Sequence, residues 1–139
     1  MTPFIIGLLL VSALITIVAL AIVLTTRRGK SCTSQEKYQQ RWLAIQQAIK
    51  RDNPESYLMA IINADALLDS ALKERCFDGK TCGERIRSAK DTLSSASTVW
   101  SAHKLRNQIV HEHNASLKYD EARRALAGYK QGLKDIGAI

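Results

Sequence analysis

The 139-residue sequence predicts an all-α protein: an N-terminal transmembrane helix followed by an antiparallel helical bundle of four main helices plus one short helix. Three observations predict it. From residue 33 onward, apolar side chains recur at spacings of three and four, the period of one helical face. No segment carries the alternating β-branched pattern of a strand. Pro3 to Leu24 is a run of 22 uncharged residues, nearly all aliphatic. At ~1.5 Å rise per residue it is long enough for a hydrocarbon layer ~30 Å thick.

The elements follow in order. Thr25, Thr26, Arg27, Arg28 and Lys30 succeed the apolar run, and no charged side chain precedes it. The positive-inside bias then places the N-terminus outside and the C-terminal domain in the cytoplasm, as a single-pass membrane protein. A cleaved signal peptide would need a basic leading region, a shorter apolar core and a small-residue cleavage site. Residues 1–25 therefore read as the transmembrane anchor, 26–33 as a basic juxtamembrane linker and 34–139 as the bundle.

Thr33 and Glu36 have the spacing of a capping box, and Tyr38, Trp42, Ile45 and Ile49 continue as one apolar stripe. Asn53-Pro54 ends that helix near Arg51 and caps the next. The second helix runs to about Arg75 with Leu58, Ile61, Ile62, Leu68 and Leu72 facing inward. Phe77 to Lys80 is a loop, and Thr81 with Glu84 forms a second capping box for a short helix to about Leu93. A fourth helix spans about Thr98 to Glu112. A fifth starts near Asp120, with Ala122, Leu126, Tyr129, Leu133 and Ile136 inward.

The net charge is +7, of which three charges lie in the linker, while residues 31–139 hold 17 basic against 13 acidic side chains. That mild excess permits a polyanionic partner without requiring one. Cys32, Cys76 and Cys82 are odd in number, which argues against a disulfide framework. Cys76 and Cys82 have five residues between them and no companion pair, so zinc is not expected. Cys32, beside the expected membrane, is a position for acylation, though a small residue of no special role reads better. Asn114, Ala115 and Ser116 match a glycosylation acceptor that a cytoplasmic domain would never present to the enzyme. Gly79-Lys80-Thr81 lacks the earlier glycine and the strand of a phosphate loop.

The chemistry concentrates between Trp100 and His113. On a wheel of ~100° per residue, His103, Arg106, Asn107, Val110, His111 and Trp100 share one broad face, opposite Ala102, Leu105 and Ile109. Arginine supplies a permanent cation with a planar donor fork, and histidine exchanges a proton near neutral pH. Held together, they can cut RNA without a metal. The plainer reading pairs Arg106 with Asp65 or Asp69, four apart on the second helix. In that reading His111 bonds a neighbouring helix and Trp100 only packs.

Leu105 to Glu112, an arginine, a polar residue, a spacer and a histidine, resembles the signature of the HEPN superfamily of small helical bundles. The similarity extends through Ala60 to Asp69 and Gly83 to Arg85, to membrane-anchored prokaryotic proteins of similar layout, and covers roughly residues 55–137. It implies a metal-independent endoribonuclease working at a two-fold dimer interface. His111 would be the acid/base, Arg106 the phosphate clamp and Asn107 the orienting residue. The product would be a 2′,3′-cyclic phosphate. His103, Trp100 and Lys104 are the further candidates for substrate contact. His113 stands where some toxin-like members carry a tyrosine, which sets aside any function tied to that residue.

The expectation is thus a membrane-tethered cytoplasmic HEPN-like domain that binds or cleaves RNA. The alternative is a non-catalytic, membrane-anchored protein-interaction module. No cofactor and no metal are expected. Expected partners are the lipid bilayer through residues 3–24, RNA, a second copy through the bundle, and a regulatory protein.

Overall fold

The computed structural model describes the backbone over residues 2–112 and 117–139, and side chains over 7–8, 10–21, 34–112 and 117–139. Among the described residues all regular structure is helical: α1 (Thr2–Ala48), α2 (Pro54–Glu74), α3 (Cys82–Ser88), α4 (Ala96–His111) and α5 (Tyr119–Asp135). His113 and the acceptor-like Asn114 to Ser116 lie outside the described residues, as does the side chain of Cys32. Two compact units divide the chain, Met1–Ser34 and Gln35–Ile139.

The first unit corrects the expected anchor. Among the described residues no helix is long and apolar enough to cross a membrane. The side chains described there, over 7–8 and 10–21, carry no charge. The helix that carries them extends past Arg27, Arg28 and Lys30 to Ala48. The transmembrane helix over 1–25 is therefore withdrawn, and with it the single-pass placement and its orientation. The capping box expected at Thr33 starts no helix either, because α1 already includes that position. Pro3 falls in the first turn of α1, where it breaks no helical bond, and the two glycines before Thr33, Gly7 and Gly29, each cost only ~1 kcal/mol in a helix interior.

In the second unit, local chemistry sets most helix ends. Asn53 caps α2, its Oδ1 accepting from the Glu55 amide at 3.0 Å, and Pro54 occupies the first turn where a missing N–H does no harm. Thr81 caps α3 by accepting from the Glu84 amide at 3.2 Å, while the Glu84 carboxylate reaches back to the Lys80 amide. α3 stops at Ser88, short of the expected Leu93, and turns lead into α4. α4 begins at Ala96, slightly before the expected Thr98, and α5 at Tyr119.

Two helices end in the same way. After α2, Cys76 adopts a left-handed φ of 61°, with the amides of Cys76 and Phe77 bonding Lys73 O and Leu72 O. After α5, Gly137 does so at φ 67°, with the amides of Gly137 and Ala138 bonding Lys134 O and Leu133 O. Both are Schellman ends. Arg75 joins them by donating to the Gly137 carbonyl.

The core lies where α2 and α4 pack on α5, with α3 laid across α2 and α4. Ile61, Leu67, Leu68, Leu72, Ile86, Val99, Tyr129 and Leu133 are fully buried, and each large aliphatic side chain contributes about 1.5–3 kcal/mol. The predicted stripes face this core: Tyr38, Trp42 and Ile45 of α1 are buried, as are Ala122, Leu126, Tyr129 and Leu133 of α5 and Ile136 just beyond it. Tyr38 donates to Glu74 Oε2 at 2.9 Å. Burial, aided by that carboxylate, pushes its phenol up to about 12.

Candidate functional site

One charge interrupts the apolar stripe of α2. Asp65 sits among Ile61, Ala64, Leu68 and Leu72 and is 3% exposed. A buried carboxylate must be compensated by donors or cations, and three helices supply them. Tyr129 of α5 donates to Oδ1 at 3.0 Å. His103 Nδ1 of α4 lies 2.7 Å from the same oxygen. The Cys82 thiol of α3 points at it from 3.8 Å. On the other oxygen, Oδ2, the Nε of Arg106 stands at 3.4 Å. That is an ion pair by distance, but the N–H is not aimed to make a hydrogen bond, and Nε is left buried without one.

The same network fixes the state of His103. Arg106 Nη1 donates to Asn107 Oδ1 at 3.0 Å. The amide nitrogen of Asn107 is then the atom that faces His103 Nε2, at 3.2 Å. An amide N–H donates, so Nε2 must accept, and the single ring proton sits on Nδ1, pointing at Asp65. The Nδ1 edge of His103 thereby faces the buried Asp65 carboxyl group. Burial and the Asp65 carboxylate both push the Tyr129 phenol upward. Burial, with Asp65 and Asp69 beside it, pushes the Cys82 thiol upward and keeps it protonated.

Outside this network lies an open cleft of about 740 Å³ between α2, α3 and α4. One wall is a second acid–base pair. Arg85, buried on α3, binds Asp69 Oδ1 through Nε at 2.7 Å and Nη2 at 2.6 Å, and donates to the Gly79 carbonyl. Lys73 closes the other Asp69 oxygen at 2.7 Å. Burial alone would raise the Asp69 carboxyl, but the bonds from Lys73 and Arg85 outweigh it and hold it below the usual carboxylate range. The opposite wall is Trp100, tilted on His103 with ring centroids 5.7 Å apart, with the Arg87 guanidinium 4.8 Å above its centre. α3 comes this close to α4 because residue 83 is glycine. A Cβ there would stand 3.3 Å from both His103 Nε2 and the Trp100 ring.

Of the residues singled out from sequence, Arg106, Asn107, His103 and Trp100 meet in this cleft. His111 and Lys104 do not: both are exposed and neither lines it. The polar face read from the helical wheel is therefore split. Its N-terminal half, at His103 and Arg106, turns toward Asp65, while His111 ends α4 in solvent. Arg106 does pair with Asp65, the plainer of the two readings. Sequence reasoning missed the central place of Asp65 and the roles of Cys82, Arg85, Arg87 and Tyr129. One signal was available for Asp65: an acid four residues after Ile61 and three before Leu68 falls on the buried stripe, where it needs partners.

Compared with protein-family models, with curated proteins and with solved structures, the chain matches none.

Proposed function

We propose that the chain is a HEPN-like helical bundle that binds RNA in the cleft between α2, α3 and α4. The observation that carries this reading is the combination, in one open cleft, of an aromatic platform and cations not neutralised by acids. Trp100 offers its ring, and stacking of a base on such a ring contributes about 1–3 kcal/mol. Arg87 already sits over that ring, and among the described residues neither it nor Lys80 forms an ion pair. Arg106 keeps a buried N–H without a hydrogen bond and has only a loose hold on Asp65. A phosphate oxygen could complete its donor set. The resemblance of Leu105 to Glu112 selects RNA among polyanions.

Cleavage is the second reading, favoured by the exposure of His111 at the end of α4. Arg106 belongs to the cleft and His111 does not, so one chain does not gather both onto a single phosphate. Transesterification would need two copies, with Arg106 of one and His111 of the other at a shared site. There the imidazole would take the 2′-OH proton while the guanidinium held the phosphate as charge built up.

The test uses the purified full chain and mixed cellular RNA with excess chelator, beside Arg106→Ala and His111→Ala. RNA retention by the wild type that falls in Arg106→Ala supports binding. Cleavage that survives chelation and disappears in both folded variants supports the enzyme. No retention and no cleavage at any protein concentration sinks both readings.

A further inference from the structure

We propose that Asp65, Cys82 and His103 form a site for one divalent cation of the zinc class, stapling α2, α3 and α4 at the inner wall of the cleft. The inference does not rest on the RNA reading. The three residues come from three different helices, yet their ligand atoms all lie within 4.8 Å of one another. Thiolate, imidazole and carboxylate together are the donor set that suits zinc, and hard cations such as magnesium or calcium disfavour it. Tetrahedral coordination at Zn–S ~2.3 Å and Zn–N or Zn–O ~2.0 Å would place the ligand atoms about 3.3–3.5 Å apart. Cys82 Sγ stands 3.8 Å from Asp65 Oδ1, close to that separation. His103 Nδ1 stands 2.7 Å from the same oxygen, so an ion replacing the shared proton would push that pair apart by about half an ångström.

The surroundings fit a ligand set. Tyr129 donates to the Asp65 oxygen that would bind, and Asn107 contacts the His103 nitrogen that would not, the two outer contacts that orient a ligating carboxylate and imidazole. Arg106 opposes the ion by charge, but it faces Oδ2, the other oxygen. Asp69 is occupied by Arg85 and Lys73, so the fourth position would be taken by water from the cleft.

The proton balance is simple. The ion displaces the Cys82 thiol proton to solvent, and the His103 proton moves from Nδ1 to Nε2. Asn107 must then turn its oxygen toward Nε2–H, which breaks its bond from Arg106 and frees that guanidinium toward the cleft. Metal binding would also anchor α3, which at seven residues is too short to hold as a helix by itself.

The experiment titrates the full chain, stripped with chelator and dialysed, with Co²⁺ alone and no RNA. The proposal predicts saturation at one equivalent, with visible bands of tetrahedral strength and a near-ultraviolet thiolate-to-cobalt band, all erased by Zn²⁺. Cys82→Ser should lose the thiolate band while keeping its helical circular dichroism, and Cys76→Ser should keep the band. Asn107→Ala should weaken Co²⁺ binding about ten- to a hundredfold. Absence of both bands in the wild type under excess Co²⁺ overturns the site. So does a thiolate band that survives Cys82→Ser or vanishes in Cys76→Ser. Because RNA is absent, neither failure touches the binding function of the cleft.

Discussion

Asp65 and Asp69 stand one turn apart on α2, and each faces an arginine from another helix, but the two pairs are made differently. Arg85 grips Asp69 with two nitrogens at 2.6 and 2.7 Å, gives a third bond to Gly79, and its side chain is 6% exposed. Arg106 approaches Asp65 at 3.4 Å without a formed bond, and its side chain is 32% exposed. Asp69 depends on arginine and lysine for its compensation. Asp65 is already served by Tyr129 and His103. Arg85 is thus part of the scaffold, and Arg106 is a cation kept beside a carboxylate that does not need it. A group in that position is available to a ligand.

The difference can be broken at its stronger member first. Arg85→Ala leaves a half-buried carboxylate facing only Lys73 and strips α3 of its tie to α2. It should cost about 3 kcal/mol, read as a lowered urea midpoint at unchanged slope. A loss of only a few tenths would mean that Arg85 is no more structural than Arg106.

The next effect is pH dependence. Because the Asp69 carboxyl is held low by Lys73 and Arg85, its contribution is present above the unfolded value of about 3.9. It fades as pH falls through the depressed folded value. Stability should therefore drop as pH falls below about 4, and Asp69→Asn should flatten that limb. An unchanged limb in the variant would assign the acid loss elsewhere.

Arg106→Ala should cost no more than about 1 kcal/mol, since the pair is partly solvated and Asp65 retains other donors. A loss comparable to that of Arg85→Ala would erase the contrast. The smallest effect lies in the segment leading from α2 toward α3. Cys76 holds a left-handed conformation that costs a side chain about 1–2 kcal/mol, whereas Gly137 fills the equivalent place after α5. Cys76→Gly relieves that cost but adds freedom to the unfolded chain, leaving a net gain of about 0.5 kcal/mol, visible as a small rise in melting temperature.

What could be read from sequence was local. Asn53-Pro54 and Thr81 announce helix starts because the capping atoms lie two or three residues from the amides they serve. The stripes through Tyr38, Ile61 and Leu126 announce a core because burial repeats with the helix. The Thr33 box failed because a cap needs a break before it, and α1 has none. The apolar run from Pro3 failed as an anchor because, among the described residues, no helix is long and apolar enough to cross a membrane. At α4 the wheel gave angles but not neighbours. It grouped His103 with His111, although Asp65 of α2 draws the first inward and nothing described draws the second. Asp65, Cys82 and Tyr129 are separated by 16 and 46 intervening residues, and only packing shows that they meet.

The most direct test of the cleft is the salt dependence of RNA affinity for the full chain, compared among wild type, Arg106→Ala and Arg85→Lys. Binding through Arg106 predicts that its loss weakens affinity roughly tenfold or more and lowers the slope of log affinity against log salt by about one. Arg85→Lys, which keeps a charge on Asp69, should leave that slope unchanged. If Arg106→Ala, still folded, binds RNA with the affinity and slope of the wild type, Arg106 is a structural partner of Asp65 and the cleft is not where RNA is held.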